Sequence, residues 1–434
     1  MQKRFVLMAG ALLSGALACA LPGGGELPDV DTVATSVALT LEAAGVGVTP
    51  AAPPPVEPSP PLRVVYVDDG DIWVWNEGAG GSEIHDSADT VGDVRISEDG
   101  QVVAFTTRNA AGFSLGLFAV NSDGTNLRTL VNAAALASYA PEATAGVGFS
   151  QFTFVPGTHV VAFGSRAQFE IGSEIKGDLR TVNADGGPVS TVLSPGQGGQ
   201  FYYSPDGSQV ALTTPTTVSI INADGTNRRD VLTYTAVITY TEAPFYPVPR
   251  WGADSAGLRV VIPSADILAP DTTITTYNLP LDGSGATVLG TIPAIPPSFP
   301  QTSSISPDLS KVAFTRRVGA PEDNTWALHF ANVDGSGDVD YFTSAPTFED
   351  WSPASNRVVY QDNSHLFVGE AGVAPVSLPD TDAGIDPQWA DANRVVYLSG
   401  SFGAWELRLF DLTTGTHTVI ANPVGDFIPF ALDN

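Results

Sequence analysis

One stretch of the sequence has the residue spacing of a hydrolase nucleophile. Residues 112–116 read Gly-Phe-Ser-Leu-Gly, which matches the Gly-x-Ser-x-Gly pattern with Ser114 at its centre. In that pattern a strand precedes the serine and a helix follows it within an α/β sheet. Here the flanking segments are short Val- and Ala-rich runs that are typical of β-strands. We therefore interpret the match as chance and expect no catalytic residue from it.

A second stretch has the composition of a calcium-binding loop. Residues 380–386 read DTDAGID, which places Asp380, Asp382 and Asp386 around Gly384. Carboxylates at such positions can surround a calcium ion with oxygen ligands. The stretch lacks the distal glutamate of an EF-hand, and Asp and Gly in such loops often only shape a turn. A structural calcium site is thus the weaker of two interpretations, and no other cofactor is expected.

The composition favours strands and turns over helices. The 434 residues include 44 Gly and 34 Pro but only three Lys, and they fit one large all-β domain with additional segments. The chain contains 47 acidic and 19 basic residues, a formal net charge of −28. Such a charge repels nucleic acid and anionic lipid surfaces, so neither is expected as a partner.

The N-terminus has the features of an export signal. Lys3 and Arg4 precede an apolar run over residues 5–18, and Cys19, the single cysteine, follows directly. This arrangement resembles a bacterial lipoprotein signal, in which the cysteine becomes the lipidated first residue of the mature chain. The preferred leucine lies three residues before that cysteine, whereas Leu17 lies two before it, so cleavage by the ordinary signal peptidase is the alternative.

These features predict three segments: a signal peptide over residues 1–18, a lipid anchor and Pro-rich linker over 19–61, and a repeat domain over 62–434. Seven prolines between Pro50 and Pro61 favour an extended spacer in the linker. The predicted location is the outer face of a bacterial membrane or the periplasm, with the lipid as the one contact with the membrane.

One unit recurs eight times from residue 62 onward. A turn cluster precedes a short apolar run in each copy, and the landmark valines are Val64, Val102, Val160, Val210, Val260, Val312, Val358 and Val395. A further apolar run follows, with an Asp-Gly hairpin such as Asp224-Gly225, which suits a tight turn between antiparallel strands. Spacings of roughly 40–50 residues fit four short strands per unit, here labelled A to D.

The repeat resembles that of TolB-like β-propellers. The residues that carry the resemblance are Ser204-Pro205-Asp206-Gly207 before a Val-Ala strand and Asn222-Ala-Asp-Gly-Thr226 before a polar one. The resemblance implies an all-β propeller of four-stranded antiparallel blades. Counting predicts eight blades, with seven as the alternative. The first unit lacks strand A, so we expect residues 425–434 to supply it and to close the ring.

The same phase predicts where partners bind. In an A-B-C-D blade the A–B and C–D turns lie on one face, here called the turn face, and the longer B–C and D–A loops lie on the other, the loop face. Long loops on a rigid scaffold commonly carry binding residues. The aromatic residues predicted there as partner contacts are Tyr139, Tyr234, Tyr240, Phe245, Tyr246 and Phe299.

The sequence thus predicts a monomeric, non-catalytic binding module for an envelope or extracellular protein or glycan. The five histidines (His85, His159, His329, His365 and His417) fall on different strands and do not converge on the ring axis. The alternative is a polysaccharide- or peptide-active enzyme with its site at the mouth of the central channel. That alternative predicts titratable groups with perturbed pKa values on the inner strands.

Overall fold

The computed structural model of the chain describes residues 61–241, 243–295, 303–319, 325–344, 346–354, 356–425 and 428–433. These residues form 32 β-strands and the five-residue helix α1 (Ala133–Ala137), which lies between the second and third sheets. No helix among the described residues has both the length and the apolar character needed to span a membrane.

The strands are short and follow one another closely along the chain. The first sixteen are β1 (Arg63–Asp68), β2 (Asp71–Asn76), β3 (Gly80–His85), β4 (Thr90–Ile96), β5 (Val102–Arg108), β6 (Ser114–Asn121), β7 (Arg128–Asn132), β8 (Gly146–Phe154), β9 (Val160–Gln168), β10 (Ser173–Ile175), β11 (Leu179–Asn183), β12 (Ser190–Leu193), β13 (Gln200–Tyr203), β14 (Gln209–Thr213), β15 (Thr217–Asn222) and β16 (Arg229–Thr233). The other sixteen are β17 (Arg250–Trp251), β18 (Leu258–Pro263), β19 (Thr273–Asn278), β20 (Thr287–Pro293), β21 (Lys311–Val318), β22 (Thr325–Asn332), β23 (Val339–Ser344), β24 (Thr347–Trp351), β25 (Arg357–Asp362), β26 (His365–Glu370), β27 (Val373–Ser377), β28 (Ala383–Trp389), β29 (Arg394–Ser401), β30 (Ala404–Asp411), β31 (Thr416–Ala421) and β32 (Phe430–Leu432).

These strands pair into eight antiparallel sheets, which are the blades of a β-propeller. From inner strand A to outer strand D, blade 1 is β32-β1-β2-β3, blade 2 is β4 to β7, blade 4 is β13 to β16, blade 5 is β17 to β20, blade 7 is β24 to β27 and blade 8 is β28 to β31. Blade 3 is β8-β9-β11-β12 with β10 added beside β9. In blade 6, β21 to β23 pair, and among the described residues two isolated bridges, Ile305 with Val312 and Ile295 with Thr315, lie at the inner position. The predicted count of eight is confirmed.

The last strand closes the ring, as the repeat count predicted. Strand β32 pairs antiparallel with β1, and the opposed residues are Val64 with Leu432, Val65 with Ala431, and Tyr66 with Phe430. Beside this pairing, the backbone N–H of Arg63 donates to the Asp433 carboxylate at 2.9 Å. The inner edge of blade 1 is therefore paired rather than open.

The core lies between the blades rather than within any one of them. Eight apolar clusters line the ring, and each contains side chains from two neighbouring blades. The cluster between blades 8 and 1 contains Leu398 and Leu407 together with Phe430 and Leu432. A B strand is covered on both faces, which explains why six of the seven residues of β5 are buried and why the sequence reads as a continuous apolar run there. The outer strand β27 is exposed along its whole length.

The Ser-Pro-Asp-Gly stretch is a turn between strands A and B, as predicted. The N–H of Gly207 donates to the carbonyl of Ser204 at 2.8 Å, and Gly207 has a φ of 68°. The Ser204 hydroxyl donates to Asp206 at 2.6 Å and accepts the N–H of Gln209 at 3.0 Å. The same serine-centred network recurs at Ser97 and Ser306. The aspartate in each copy therefore shapes the backbone.

Candidate functional site

The two faces of the ring differ in the length of their connections. The A–B turns are a few residues long, whereas the D–A connections over 133–145 and 234–249 and the B–C connection over 264–272 are much longer. The long connections all lie on the loop face, as the phase of the repeat predicted. The described termini of the propeller meet on the turn face, because Arg63 begins strand B of blade 1 and Leu432 ends its strand A.

Exposed apolar side chains concentrate on the loop face. Five of them lie on connections of the consecutive blades 2 to 5, and we call this set the loop-face patch: Phe113, Ile171, Ile238, Tyr240 and Leu268. At the turn face, the comparably exposed apolar side chains include Leu127 and the first residues of two outer strands, Val339 and Val373. An uneven distribution of this kind is typical of an interaction surface.

Three members of the patch are held together by two packed loops. The backbone N–H of Ile238 donates to the carbonyl of Ala265 at 2.7 Å. The Tyr240 hydroxyl donates to the Asp266 carboxylate at 2.8 Å, and the same carboxylate accepts the N–H of Leu268 at 2.9 Å. Tyr240 is 59% exposed and has a left-handed φ of 56°. Asp266 therefore fixes an exposed aromatic ring beside two aliphatic side chains.

The other aromatic residues predicted as contacts lie in different environments. Tyr139 is half-buried with the Arg180 guanidinium 3.9 Å above its ring centre, and half-buried Tyr234 donates to the carbonyl of Thr214. Tyr246 is half-buried, and burial raises the pKa of its hydroxyl although the charge of Arg166 acts in the opposite direction. The expectation that Phe245 is exposed is wrong, because this ring is 5% exposed and folds back into the protein. Phe299 lies outside the described residues, as does Cys19.

The three aspartates of the predicted calcium loop are not brought together. Asp380 accepts a hydrogen bond from His365, with Nδ1 and Oδ1 2.7 Å apart, while Asp382 lies in an exposed turn and Asp386 lies on strand β28. Across the described part of the chain, no group of three or more His, Cys, Asp or Glu residues could hold a metal ion. The motif gives the turn before blade 8 and a histidine contact instead.

The histidines lie on or beside different strands, as the sequence indicated. His85 and His417 lie on outer strands β3 and β31, and His329 lies within strand β22. His159 precedes β9, and its two ring nitrogens contact the carboxylates of Asp185 (2.8 Å) and Asp99 (3.0 Å). Ser114 begins strand β6 of a β-sheet, so it lacks the strand-to-helix setting of a hydrolase nucleophile.

A group of carboxylates lies on the inner strands of blades 7 and 8. Burial raises the pKa of Glu349 to about 7, and the negative charges of Asp386 and Asp350 act in the same direction. Burial also raises the pKa values of Asp350 and Asp386. The side chain of Asp350 is 32% exposed. It lies on an inner strand, and the inner strands of a propeller surround its central channel.

Arg250 of blade 5 contacts one of these carboxylates of the channel wall across blade 6. Its Nη2 lies 3.1 Å from Oδ1 of Asp350, and its Nε donates to the carbonyl of Ile305 at 3.1 Å. The side chain thus connects the inner strands of blades 5, 6 and 7. The sequence contains one signal for this wall that the repeat count passed over: the charged pair Glu349-Asp350 stands in strand A directly before Trp351.

Comparisons with known proteins find distant structural similarity and no family. No protein-family model matches the chain, and no curated protein matches it. Solved structures with similarity to it include the tricorn protease (14% identity, TM-score 0.42, 81% of this chain and 41% of that chain), a eukaryotic initiation factor (10%, 0.49, 86% and 98%), and TolB from Acinetobacter baumannii (9%, 0.36, 92% and 71%). The chain spans less than half of the tricorn protease chain. The strand pairing, rather than these likenesses, establishes the eight-bladed propeller.

Proposed function

We propose that this protein is an exported, lipid-anchored β-propeller whose loop face binds another envelope or extracellular protein without catalysing a reaction. The loop-face patch is the observation that carries the proposal. Its apolar side chains are exposed on loops that a rigid ring holds in place, and such residues commonly anchor protein partners. The opposite face offers short, hydrogen-bonded turns and fewer exposed apolar side chains among the described residues.

The proposed lipid anchor can be tested directly. The anchor would be Cys19, upstream of a Pro-rich spacer. Substitution Cys19→Ser should release the protein from membranes of a producing bacterium, and mass spectrometry should find diacylglycerol on Cys19 of the native chain.

Binding is tested by comparing two triple variants of the full chain. The loop variant carries Phe113→Ser, Tyr240→Ser and Leu268→Ser. The control carries Leu127→Ser, Val339→Ser and Val373→Ser, three exposed apolar residues beside C–D turns on the turn face. We expect immobilised native and control chains to retain the same proteins from solubilised envelopes, and the loop variant to lose them. Equal recovery by the loop variant, or recovery of nothing specific by the native chain, would refute the proposal.

A second function is favoured by the carboxylates of the channel wall. A carboxyl group with a pKa of about 7, such as Glu349, is suited to general acid catalysis near neutral pH. We infer from it the competing proposal of a polysaccharide- or peptide-active hydrolase. Its test is a screen of polysaccharide and peptide substrates with the native chain and with Glu349→Gln. Turnover that Glu349→Gln abolishes would support an enzyme, and turnover that it leaves unchanged would exclude this site.

A further inference from the structure

A cavity of about 500 Å³ lies beside the inner strands of blades 2, 3 and 4. Its floor includes Asp93 and Arg95 of β4 and Gln200 and Tyr202 of β13. Arg108, the last residue of β5, and Ser114, the first residue of β6, place one side of it at the loop face. Its size is that of a site for a small molecule.

The charge of this cavity is opposite to that of the chain. Three arginines and one aspartate line it, a net charge of +2, whereas the whole chain has a formal net charge of −28. The aspartate is already paired: Asp93 accepts from Arg95 at 2.7 Å, and Arg95 also donates to the carbonyl of Val94 and lies over the ring of Phe152. Arg108 and Arg166 supply the remaining positive charge.

Neither of these two arginines has a protein acceptor. Among the described residues, no hydrogen bond or carboxylate pair engages Arg108 or Arg166, and Nε of Arg166 is buried without a partner. Burying the Nε–H donor of Arg166 without an acceptor is costly, so such donors are normally satisfied. Arg108 is exposed and adds a second unpaired guanidinium. In a chain with 47 acidic residues, two arginines left without carboxylates are available for an external acceptor.

The surrounding residues hold these groups in place. Arg108 packs over Gly92, where a β-carbon would lie 2.9 Å from Nε of Arg108. On the other side of the cavity, Gln151 of β8 is fixed by a hydrogen bond to the carbonyl of Phe201 at 2.7 Å. Hydroxyl groups of Thr106, Ser114 and Ser150 complete a mostly polar lining. The cavity thus presents guanidinium and hydroxyl groups beside the paired carboxylate of Asp93.

We propose that this cavity binds a small hydrophilic anion that presents a carboxylate or phosphate group to Arg108 and Arg166. A guanidinium matches either group with two parallel hydrogen bonds. A large polyanion is excluded, because the field of the acidic chain opposes its approach, whereas a small anion can enter and be neutralised locally. The site goes beyond the proposed docking function, since none of its lining residues belongs to the loop-face patch.

The experiment is isothermal titration calorimetry of the full chain with three probes: citrate, inorganic phosphate and neutral glucose. We expect heat with citrate or phosphate and none with glucose, and the preferred anion identifies the group. Arg108→Gln and Arg166→Gln should each weaken binding about tenfold or more, since each removes charge-assisted hydrogen bonds. The control is Arg317→Gln, an exposed arginine at the loop-face end of β21, which should leave binding unchanged.

Three results would overturn the inference: no heat with either anion, equal heat with glucose, or equal binding by all three variants. Circular dichroism melts establish that the variants fold. If Arg166→Gln does not fold, the binding measured for Arg108→Gln tests the inference alone, because Arg108 is exposed and its substitution should not disturb the fold. The two proposals can fail separately. One outcome is a chain that binds the anion but retains no envelope protein through its loop face, and the other is a chain that retains the protein but does not bind the anion.

Discussion

Substitution Phe430→Ala should destabilise the seam of the ring, the apolar cluster between blades 8 and 1 beside the pairing of β32 with β1. The Phe430 ring is 5% exposed and packs between blades 8 and 1, and removing a buried phenylalanine side chain costs about 3–5 kcal/mol. The control is Val424→Ala in the same C-terminal segment. Because Val424 is 60% exposed, its substitution should change stability by less than about 0.5 kcal/mol. Urea unfolding followed by tryptophan fluorescence measures both, since Trp75 and Trp405 lie in the seam cluster.

Deletion of residues 425–434 extends the same perturbation. It removes the buried side chains of Ile428, Phe430 and Leu432, each worth about 1.5–3 kcal/mol, against a typical stability of about 5–15 kcal/mol for a whole domain. It also leaves an unpaired edge on β1, which invites aggregation. An unfolding midpoint for Phe430→Ala equal to that of Val424→Ala, together with a deleted chain as stable as the native one, would refute ring closure as a source of stability.

Three further predictions concern single positions. Burial alone would lower the pKa of His159, but hydrogen bonds to Asp185 and Asp99 outweigh it and raise that pKa. The resulting stabilisation should be complete below a pH of about 6.5 and lost as the pH rises through the raised value. The urea midpoint of the native chain should therefore fall over this pH range, and that of His159→Gln should not. For Glu349 the raised pKa means that the fold favours the neutral acid, so Glu349→Gln should raise the urea midpoint at pH 8 and leave it unchanged at pH 4; an unchanged midpoint at pH 8 would count against burial of this carboxyl. Gly199→Ala should lower the melting temperature strongly, because a β-carbon there would lie 2.0 Å from the carbonyl oxygen of Thr213. Gly285→Ala should leave the melting temperature unchanged, because the space around that position is open. Equal melting temperatures of the two variants would contradict this reasoning.

The fold could be predicted because its determinants repeat along the chain. The A–B turn of blade 4 uses a hydroxyl, a carboxylate and a residue that tolerates positive φ. Ser204, Asp206 and Gly207 supply them and are recognisable in the sequence. Eight copies of the apolar run, several of them preceded by this turn, set the phase of the strands and predicted that the closing strand comes from the C-terminus. The repeat did not reveal that, among the described residues, the inner position of blade 6 holds isolated bridges at Ile305 and Ile295 in place of a strand.

The site could be predicted only in part, because side-chain environments depend on contacts that do not repeat. Loop position correctly suggested exposure of Tyr240 but could not show that the Pro-rich segment turns Phe245 inward. Likewise, the arginine cavity combines Arg95 and Arg108 of blade 2 with Arg166 of blade 3. These residues have no common spacing in the sequence, and their lack of carboxylate partners is a property of the folded chain.

The pairing of β32 with β1 also sets the order in which the molecule can be assembled. The contact between Arg63 and Asp433 joins residues 370 positions apart, whereas the other inner strands pair with the strand that follows them directly. Contacts between distant residues form late, because the closure of a long loop loses much conformational entropy before any contact is gained. Seven blades can thus form in sequence as the chain is made, and blade 1 remains incomplete until the last strand arrives.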